Sequence, residues 1–246
     1  MDVRQFLDST YLKTPEQAGL SHRDNLEVAK SFIAEAISEK FKCIMIRPDM
    51  VAVAHEMITA AGATTDIGTV IDFPFGTADI AAKLAEARKA ISDGADDLDF
   101  VCNYEAFKNG QITLVKDEVL QGTKLAIEHK KVAKWIIEVA ALNNQQIIQI
   151  SALIKNVIIT NFKEDDYQSV FVKSSTGFYP TDNDVPNGAT KESITMMLEN
   201  ASPLPVKAAG GVRTYDEAVE MIRLGVKRIG TSSAKKIVDG YTASGY

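Results

Sequence analysis

Cysteine, histidine and tryptophan are scarce in this sequence, which has 2, 3 and 1 of them among its 246 residues. Cys43 and Cys102 both lie in apolar runs, so we expect buried thiols in a reducing compartment and no disulfide framework. The histidines are isolated and show no ligand spacing. The sequence therefore indicates no zinc site.

Long apolar runs and basic blocks are also missing. No run approaches the ~20 apolar residues that a helix needs to span a bilayer, and the first residues lack a signal-peptide pattern. The formal net charge is −6 and no Lys/Arg cluster stands out. Neither a membrane nor nucleic acid is an expected partner, and we expect a cytoplasmic protein. Hydrophobic residues make up 46% of the chain, enough for a sizeable core.

Short, continuously apolar segments alternate with helix-like segments along the chain. Seven strand candidates start near residues 42, 67, 97, 134, 169, 205 and 227, and segment 7–12 makes an eighth. The steps between the seven are 22 to 37 residues, the length of the strand–helix units that build a parallel sheet. Strands covered on both faces are apolar throughout, as these are.

This alternation predicts an α/β protein. The fold we expect is a (β/α)8 TIM barrel, one domain over residues 1–246, with a flexible C-terminal tail from about residue 239. An open, doubly wound sheet is the alternative, because periodicity does not distinguish a closed sheet from an open one. The first strand is not followed by Gly-x-Gly-x-x-Gly, and no Walker-type loop occurs, which disfavours a nucleotide-binding version.

A lysine ends one of the apolar strand candidates. Lys173 follows residues 170–172 (VFV) and precedes two serines, a threonine and a glycine. A charged side chain at the tip of an apolar strand is costly to desolvate, so its charge should be either needed or suppressed there. Asp99 and Lys207 also lie at or near strand ends, where barrels carry their chemistry. Each of them alone could be a solvated loop residue, but together they predict a shared site.

Glycine and serine residues cluster in the loops after the last three strand candidates. They are Gly177, Gly210, Gly211, Ser232 and Ser233. Backbone N–H groups and a helix N-terminus at this end of a barrel bind phosphate. Ordinary turn chemistry explains any one of these glycines, whereas the grouping over three loops favours a phosphate site.

Three sequence blocks carry a family resemblance: residues 94–99 (GADDLD), 173–177 (KSSTG) and 207–214 (KAAGGVRT). In order and spacing they resemble the signature blocks of the deoxyribose-phosphate aldolases, a class I, Schiff-base-forming family. Segments 8–12, 73–76 and 230–233 fit the same pattern, as does the C-terminal tyrosine. The resemblance spans essentially the whole chain.

The resemblance implies reversible retro-aldol cleavage of 2-deoxy-D-ribose 5-phosphate to acetaldehyde and D-glyceraldehyde 3-phosphate, with no cofactor and no metal. It implies that Lys173 forms the Schiff base, Lys207 lies beside it, Asp99 joins the proton relay, and Tyr246 transfers a proton. The phosphorylated sugar and acetaldehyde are the expected partners. The expected substrate and phosphate contacts are Asp8, Thr10, Thr176, Gly177, Gly210, Gly211, Ser232 and Ser233.

One residue departs from the family pattern. Many members carry a phosphate-binding lysine where this chain has Phe178. A phenyl ring cannot donate to phosphate, so we expect weaker affinity for a phosphorylated substrate or higher selectivity for a neutral sugar. Two other functions stay open: another Schiff-base aldolase or transaldolase-like barrel enzyme, and a catalytically silent phosphosugar-binding barrel. A homodimer is also left open.

Overall fold

The eight strands form a closed parallel barrel. The computed structural model describes residues 1–182 and 185–244. Each strand pairs with its neighbours in sequence, and the first pairs with the last. The strands are β1 Leu7–Tyr11, β2 Cys43–Ile46, β3 Asp66–Ile71, β4 Asp97–Val101, β5 Val132–Ile136, β6 Val170–Lys173, β7 Val206–Ala209 and β8 Arg228–Thr231.

Helices connect the strands and surround the barrel. They are α1 Pro15–Ala18, α2 His22–Glu39, α3 Val51–Ala61, α4 Ile80–Ser92, α5 Tyr104–Lys108, α6 Ile112–Glu128, α7 Asn144–Asn161, α8 Lys191–Ala201, α9 Tyr215–Leu224 and α10 Ala234–Ser244. In the described part of the chain, no helix is both long enough and apolar enough to cross a membrane.

The predicted fold class is confirmed. The strands begin within two residues of the starts expected from the sequence. The pairing of β1 with β8 closes the sheet, which excludes the open, doubly wound alternative. Local signals set the helix boundaries: the hydroxyl of Thr214 accepts from the Glu217 N–H, and the Glu217 carboxylate accepts from the Thr214 N–H. This capping box satisfies donors that the first turn of α9 would otherwise leave unpaired.

The apolar core lies between the barrel and its helices. Trp135 on β5 is fully buried, stacks on Phe100 of β4 with ring centroids 4.8 Å apart, and donates its indole N–H to Thr123 on α6. A Cβ atom at Gly122 would lie 2.8 Å from the Trp135 ring. Glycine at this position therefore allows α6 to approach β5 closely.

The C-terminal prediction is untested. Residues 239–244 lie within α10, and Tyr246 lies outside the described residues. The expected flexibility of the tail and the role of Tyr246 stay predictions.

Candidate active site

The strand register places charged residues side by side inside the barrel. Lys173 on β6 is the Cα partner of Lys207 on β7, and Asp99 on β4 is the partner of Lys134 on β5. Lys207 is in turn the partner of Arg228 on β8. Residues on one register line of parallel strands point the same way, so these side chains meet in the barrel interior.

Asp99 is the hub of this cluster. Its Oδ2 accepts from Lys173 Nζ at 2.7 Å and from Lys207 Nζ at 2.9 Å, and its Oδ1 accepts from Lys134 Nζ at 2.9 Å. Asp99, Lys134 and Lys207 are 0% exposed and Lys173 is 3% exposed. The predicted trio of Asp99, Lys173 and Lys207 is thus one connected group, to which the structure adds Lys134.

A second set of ion pairs lies next to the first. Asp8 Oδ2 is 2.5 Å from Lys207 Nζ, and Asp8 Oδ1 accepts from Arg228 Nε at 2.5 Å. Asp97 Oδ2 accepts from Lys134 at 2.6 Å and from Arg228 at 2.8 Å. Buried charges of this kind are stable only when they are paired, and here three carboxylates face four cations.

The surroundings determine which of these groups carries its charge. Burial lowers the pKa of Lys173 to about 8, with Lys207 acting in the same direction and Asp99 opposing. Burial alone would raise the pKa of Asp99, but Lys134, Lys173 and Lys207 together hold it well below its usual range. At neutral pH the Asp99 carboxyl group is therefore ionised, and the Lys173 ammonium loses its proton more easily than an ordinary lysine does.

The loop after β6 is held by a buried glutamate. Glu138 follows β5 with a left-handed φ of 57°, and its Oε2 accepts from both the backbone N–H and the hydroxyl of Thr176. The Thr176 hydroxyl oxygen accepts from the Phe178 N–H at 3.0 Å. Burial raises the pKa of Glu138, while Thr176 and Lys173 oppose the rise. Glu138 thus fixes the conformation of the segment that directly follows Lys173.

A cavity of about 300 Å³ opens above Lys173 at the carboxyl end of the barrel. Gly210 and Gly211 line it with φ values of 77° and 87°, in the left-handed region that favours glycine. The cavity is also lined by Thr10, Lys13, Thr176, Gly177, Phe178, Asn187, Arg213 and Ser232. A larger cleft of about 650 Å³ lies beside α2, but its described lining includes neither Lys173 nor Lys207.

The structure brings most of the predicted contact residues together at this cavity. Thr10, Thr176, Gly177, Gly210, Gly211 and Ser232 all line it. Asp8 instead lies fully buried on Lys207, and Ser233 precedes α10, where its carbonyl accepts from the Ile237 N–H. Phe178 lines the cavity and packs edge-on against Phe73, with ring centroids 5.1 Å apart.

Sequence reasoning missed six residues: Asp97, Lys134, Arg228 and Glu138 around the buried charges, and Lys13 and Arg213 at the cavity. For Lys134 a signal was present, because it interrupts the apolar run 132–137 just as a functional charge would. Lys13 and Arg213 lie in loops where a charged residue is ordinary, and only their position at the cavity distinguishes them.

Potential metal-ligand atoms also meet inside the barrel, on Asp8, Cys43 and Asp97. Both carboxylates already bind protein cations, since Asp8 contacts Lys207 and Arg228, and Asp97 contacts Lys134 and Arg228. Burial raises the pKa of Cys43 well above its usual value, and the two carboxylates raise it further, so the thiol stays protonated. This trio suits its present ion pairs better than a metal ion.

Comparisons with known proteins give one consistent result. The family model described as DeoC/LacD family aldolase matches residues 8–239. A deoxyribose-phosphate aldolase of Thermococcus gammatolerans is 36% identical over 98% of this chain and 96% of its own length. The corresponding protein of Thermococcus kodakarensis is 37% identical over 97% and 96%.

Solved structures agree. A structure titled "QR15, an Aldolase" superposes with a TM-score of 0.81 at 28% identity, covering 99% of this chain and 97% of its own. The deoxyribose phosphate aldolase of Aeropyrum pernix, whose title describes a tetramer, gives 0.78 at 26% identity over 98% and 91%.

Fold, cavity and relatives together place the molecule among the barrel aldolases, enzymes of the aldehyde-lyase class. More specifically, the chain belongs to the DeoC/LacD family of aldolases, and the resemblance noted in its sequence blocks is confirmed.

Proposed function

We propose that this enzyme reversibly splits 2-deoxy-D-ribose 5-phosphate into acetaldehyde and D-glyceraldehyde 3-phosphate through an imine on Lys173. The observation that carries the proposal is the position of the Lys173 amine, which is buried at the cavity 2.7 Å from Asp99 Oδ2, and burial there lowers its pKa to about 8. A free lysine is neutral in only about one molecule in 2,500 at pH 7, whereas an amine with this pKa is neutral in about one in ten. The nucleophile must be neutral, so Lys173 is the suited group.

The chemical steps follow from this nucleophile. The neutral Lys173 amine adds to the open-chain aldehyde carbon, and a proton delivered to the hydroxyl of the resulting carbinolamine lets it leave as water and gives a protonated imine. A base takes the proton of the sugar's 3-hydroxyl, the C2–C3 bond breaks, and its electron pair moves to the imine nitrogen to give an enamine. Glyceraldehyde 3-phosphate leaves. Protonation of the enamine carbon and hydrolysis then release acetaldehyde and the amine.

Asp99 is suited to move these protons because its Oδ2 contacts the Lys173 amine directly. Its pKa stays well below the usual range, so it is available as an acceptor throughout the neutral pH range. Lys207 contacts the same oxygen and acts as the neighbouring cation. Tyr246 is proposed as a further proton-transfer residue.

The loops around the cavity support binding of a phosphorylated substrate. Gly177, Gly210 and Gly211 offer backbone N–H groups, and Ser232 lies just before α10, whose N-terminus favours an anion. Lys13 and Arg213 add two cations at the cavity, so positive charge is present although residue 178 is a phenylalanine. The relatives named deoxyribose-phosphate aldolase support the same substrate. A homodimer and a cytoplasmic location stay predictions.

Borohydride trapping tests the proposal. Incubation with acetaldehyde and sodium borohydride should add one ethyl group to Lys173, located by peptide mass spectrometry. Lys173→Met should abolish both this adduct and the cleavage of deoxyribose 5-phosphate. Lys131→Met is the matched control, because Lys131 pairs with Asp96 before β5 and should retain both activities. An adduct on Lys207 alone would overturn the assignment, and absence of any adduct would favour a binding protein.

A further inference from the structure

Lys134 and Lys173 bind opposite oxygens of one carboxylate. Asp99 Oδ1 accepts from Lys134 at 2.9 Å, whereas Asp99 Oδ2 accepts from Lys173 at 2.7 Å. Lys134 thus competes with Lys173 for the negative charge of Asp99. It is 0% exposed, and its pKa is raised by Asp97, Asp99 and Asp8, although burial opposes this, so it is a permanent cation.

Asp97 in turn weakens the electrostatic interaction of Lys134 with Asp99, because Lys134 pairs with both carboxylates. Asp97 Oδ2 is 2.6 Å from Lys134 Nζ and 2.8 Å from Arg228 Nη2. Asp97 is 1% exposed and is not among the residues described along the cavity. It therefore affects Lys173 indirectly, most directly through Lys134 and Asp99 and at longer range through Arg228, Asp8 and Lys207.

We propose that Lys134 and Asp97 are positioning residues for the reaction, a buried ion pair that sets how much of the Asp99 charge is left for Lys173. This inference rests on the proposed function, because it concerns the amine that forms the imine.

The charge balance of the barrel interior predicts the direction in which each substitution shifts the pKa of Lys173. Asp8, Asp97 and Asp99 are balanced by Lys134, Lys207 and Arg228, and Lys173 is the additional cation. Loss of one cation leaves an excess of carboxylate, and Lys173 then keeps its proton more strongly. Loss of one carboxylate leaves an excess of cation, and Lys173 then releases its proton more easily. Little water screens charges at such burial, so these effects are large.

Charged groups face this pair and Lys173 from several elements. They are Asp8 of β1, Asp97 and Asp99 of β4, Lys134 of β5, Glu138 after β5, Lys207 of β7 and Arg228 of β8. Glu138 and Lys207 stay unchanged in the variants below. If substitutions of Lys134 and Asp97 shift the pKa of Lys173 in opposite directions, these shifts are therefore attributable to the pair itself.

The test uses two substitutions that leave every group in contact with Lys173 in place. Lys134→Met should raise the measured pKa of Lys173 by about one unit or more, and Asp97→Asn should lower it by a similar amount. The double variant should return close to the native value. Competitive acetylation with trace acetic anhydride, analysed by peptide mass spectrometry across pH, measures the pKa of this single amine without any turnover.

Two controls separate this effect from general damage to the fold. Lys131→Met and Asp96→Asn remove the charges of the partly exposed Lys131–Asp96 pair, which lies directly before β5 and β4, and should not shift the pKa of Lys173. Lys134→Gln should shift it in the same direction as Lys134→Met, and it replaces that variant if methionine prevents folding. A purely structural role predicts equal losses of activity and no opposite shifts.

The inference would be overturned if the pKa of Lys173 shifted in the same direction in the folded Lys134 and Asp97 variants, or did not shift in either. Borohydride trapping on the native enzyme decides the proposed function separately. A native protein that forms no imine on Lys173 would refute that function, while the acetylation result would still decide the role of the pair.

Discussion

Lys173 Nζ and Asp99 Oδ2 lie 2.7 Å apart, although 74 residues separate them in the chain. Their contact joins a group that must lose a proton to one that stays ionised. Burial lowers the pKa of Lys173 to about 8, and Asp99 opposes the shift. An amine that is partly neutral yet still hydrogen-bonded to a carboxylate is suited both to attack an aldehyde and to return a proton.

Lys207→Met should shift the pH–rate profile. Lys207 is a cation on the same Asp99 oxygen as Lys173 and contributes to the lowering of the Lys173 pKa. Its removal should raise that pKa by about one unit or more, so the rise of kcat/KM with pH should move to higher pH. Lys227→Met, at the exposed residue directly before β8, is the control. An unchanged profile at full rate would show that Lys207 does not perturb Lys173.

Glu138→Gln should change the pH dependence of stability. Burial raises the pKa of Glu138 in the folded state. The contribution of Glu138 to the free energy of unfolding is therefore fully present below the ordinary glutamate pKa of 4.5 and is lost as pH rises through the raised pKa. Glutamine can accept the same Thr176 hydrogen bonds without titrating. The unfolding temperature of Glu138→Gln, measured relative to that of the native protein, should therefore increase as pH rises.

Two further variants complete this test. Glu138→Ala removes both Thr176 hydrogen bonds and should be about 1–3 kcal/mol less stable than Glu138→Gln at every pH, because neither variant titrates at this position. Glu199→Gln makes the same chemical change at an exposed residue of α8. The difference between its unfolding temperature and that of the native protein should not change with pH. Parallel unfolding curves for Glu138→Gln and the native protein across pH would contradict the titration of Glu138.

Phe178→Lys should increase selectivity for a phosphorylated substrate. Phe178 lines the cavity and packs against Phe73, and a lysine there would add a third cation to Lys13 and Arg213. A charged hydrogen bond to phosphate should lower KM for deoxyribose 5-phosphate roughly tenfold, with little change for unphosphorylated deoxyribose. Phe178→Met removes the ring without adding charge and should give no such gain. Equal changes in both KM values would place the phosphate away from residue 178.

Tyr246→Phe should slow the proton step while leaving imine formation intact. A phenol at the C-terminus can donate and accept a proton at the enamine carbon if it reaches the site. Turnover and deuterium exchange into acetaldehyde should both fall about 100-fold, whereas borohydride trapping should be retained. Tyr167→Phe is the control, since the Tyr167 hydroxyl donates to the carbonyl of Ile159. Full exchange and full turnover in Tyr246→Phe would show that this tyrosine is dispensable.

The order of the elements and the ends of the strands could be predicted from the sequence by itself. Apolar runs, capping residues such as Thr214, and glycines such as Gly225 act over a few residues, so the chain records them locally. Lys173 and Lys207 were visible for the same reason, because Lys173 ends the apolar strand β6 and Lys207 interrupts the apolar strand β7 shortly before a glycine-containing loop.

Only the tertiary structure decided which charges meet. Arg228 contacts Asp8 across 220 residues and Asp97 across 131, and no periodicity along the chain encodes such pairs. Closure of the barrel brings β1 beside β8, and the register of the strands then aligns Lys134 with Asp99. The sequence determined that a lysine would be buried at Lys173, whereas the closed sheet determined the balance of charges that brings its pKa close to neutrality.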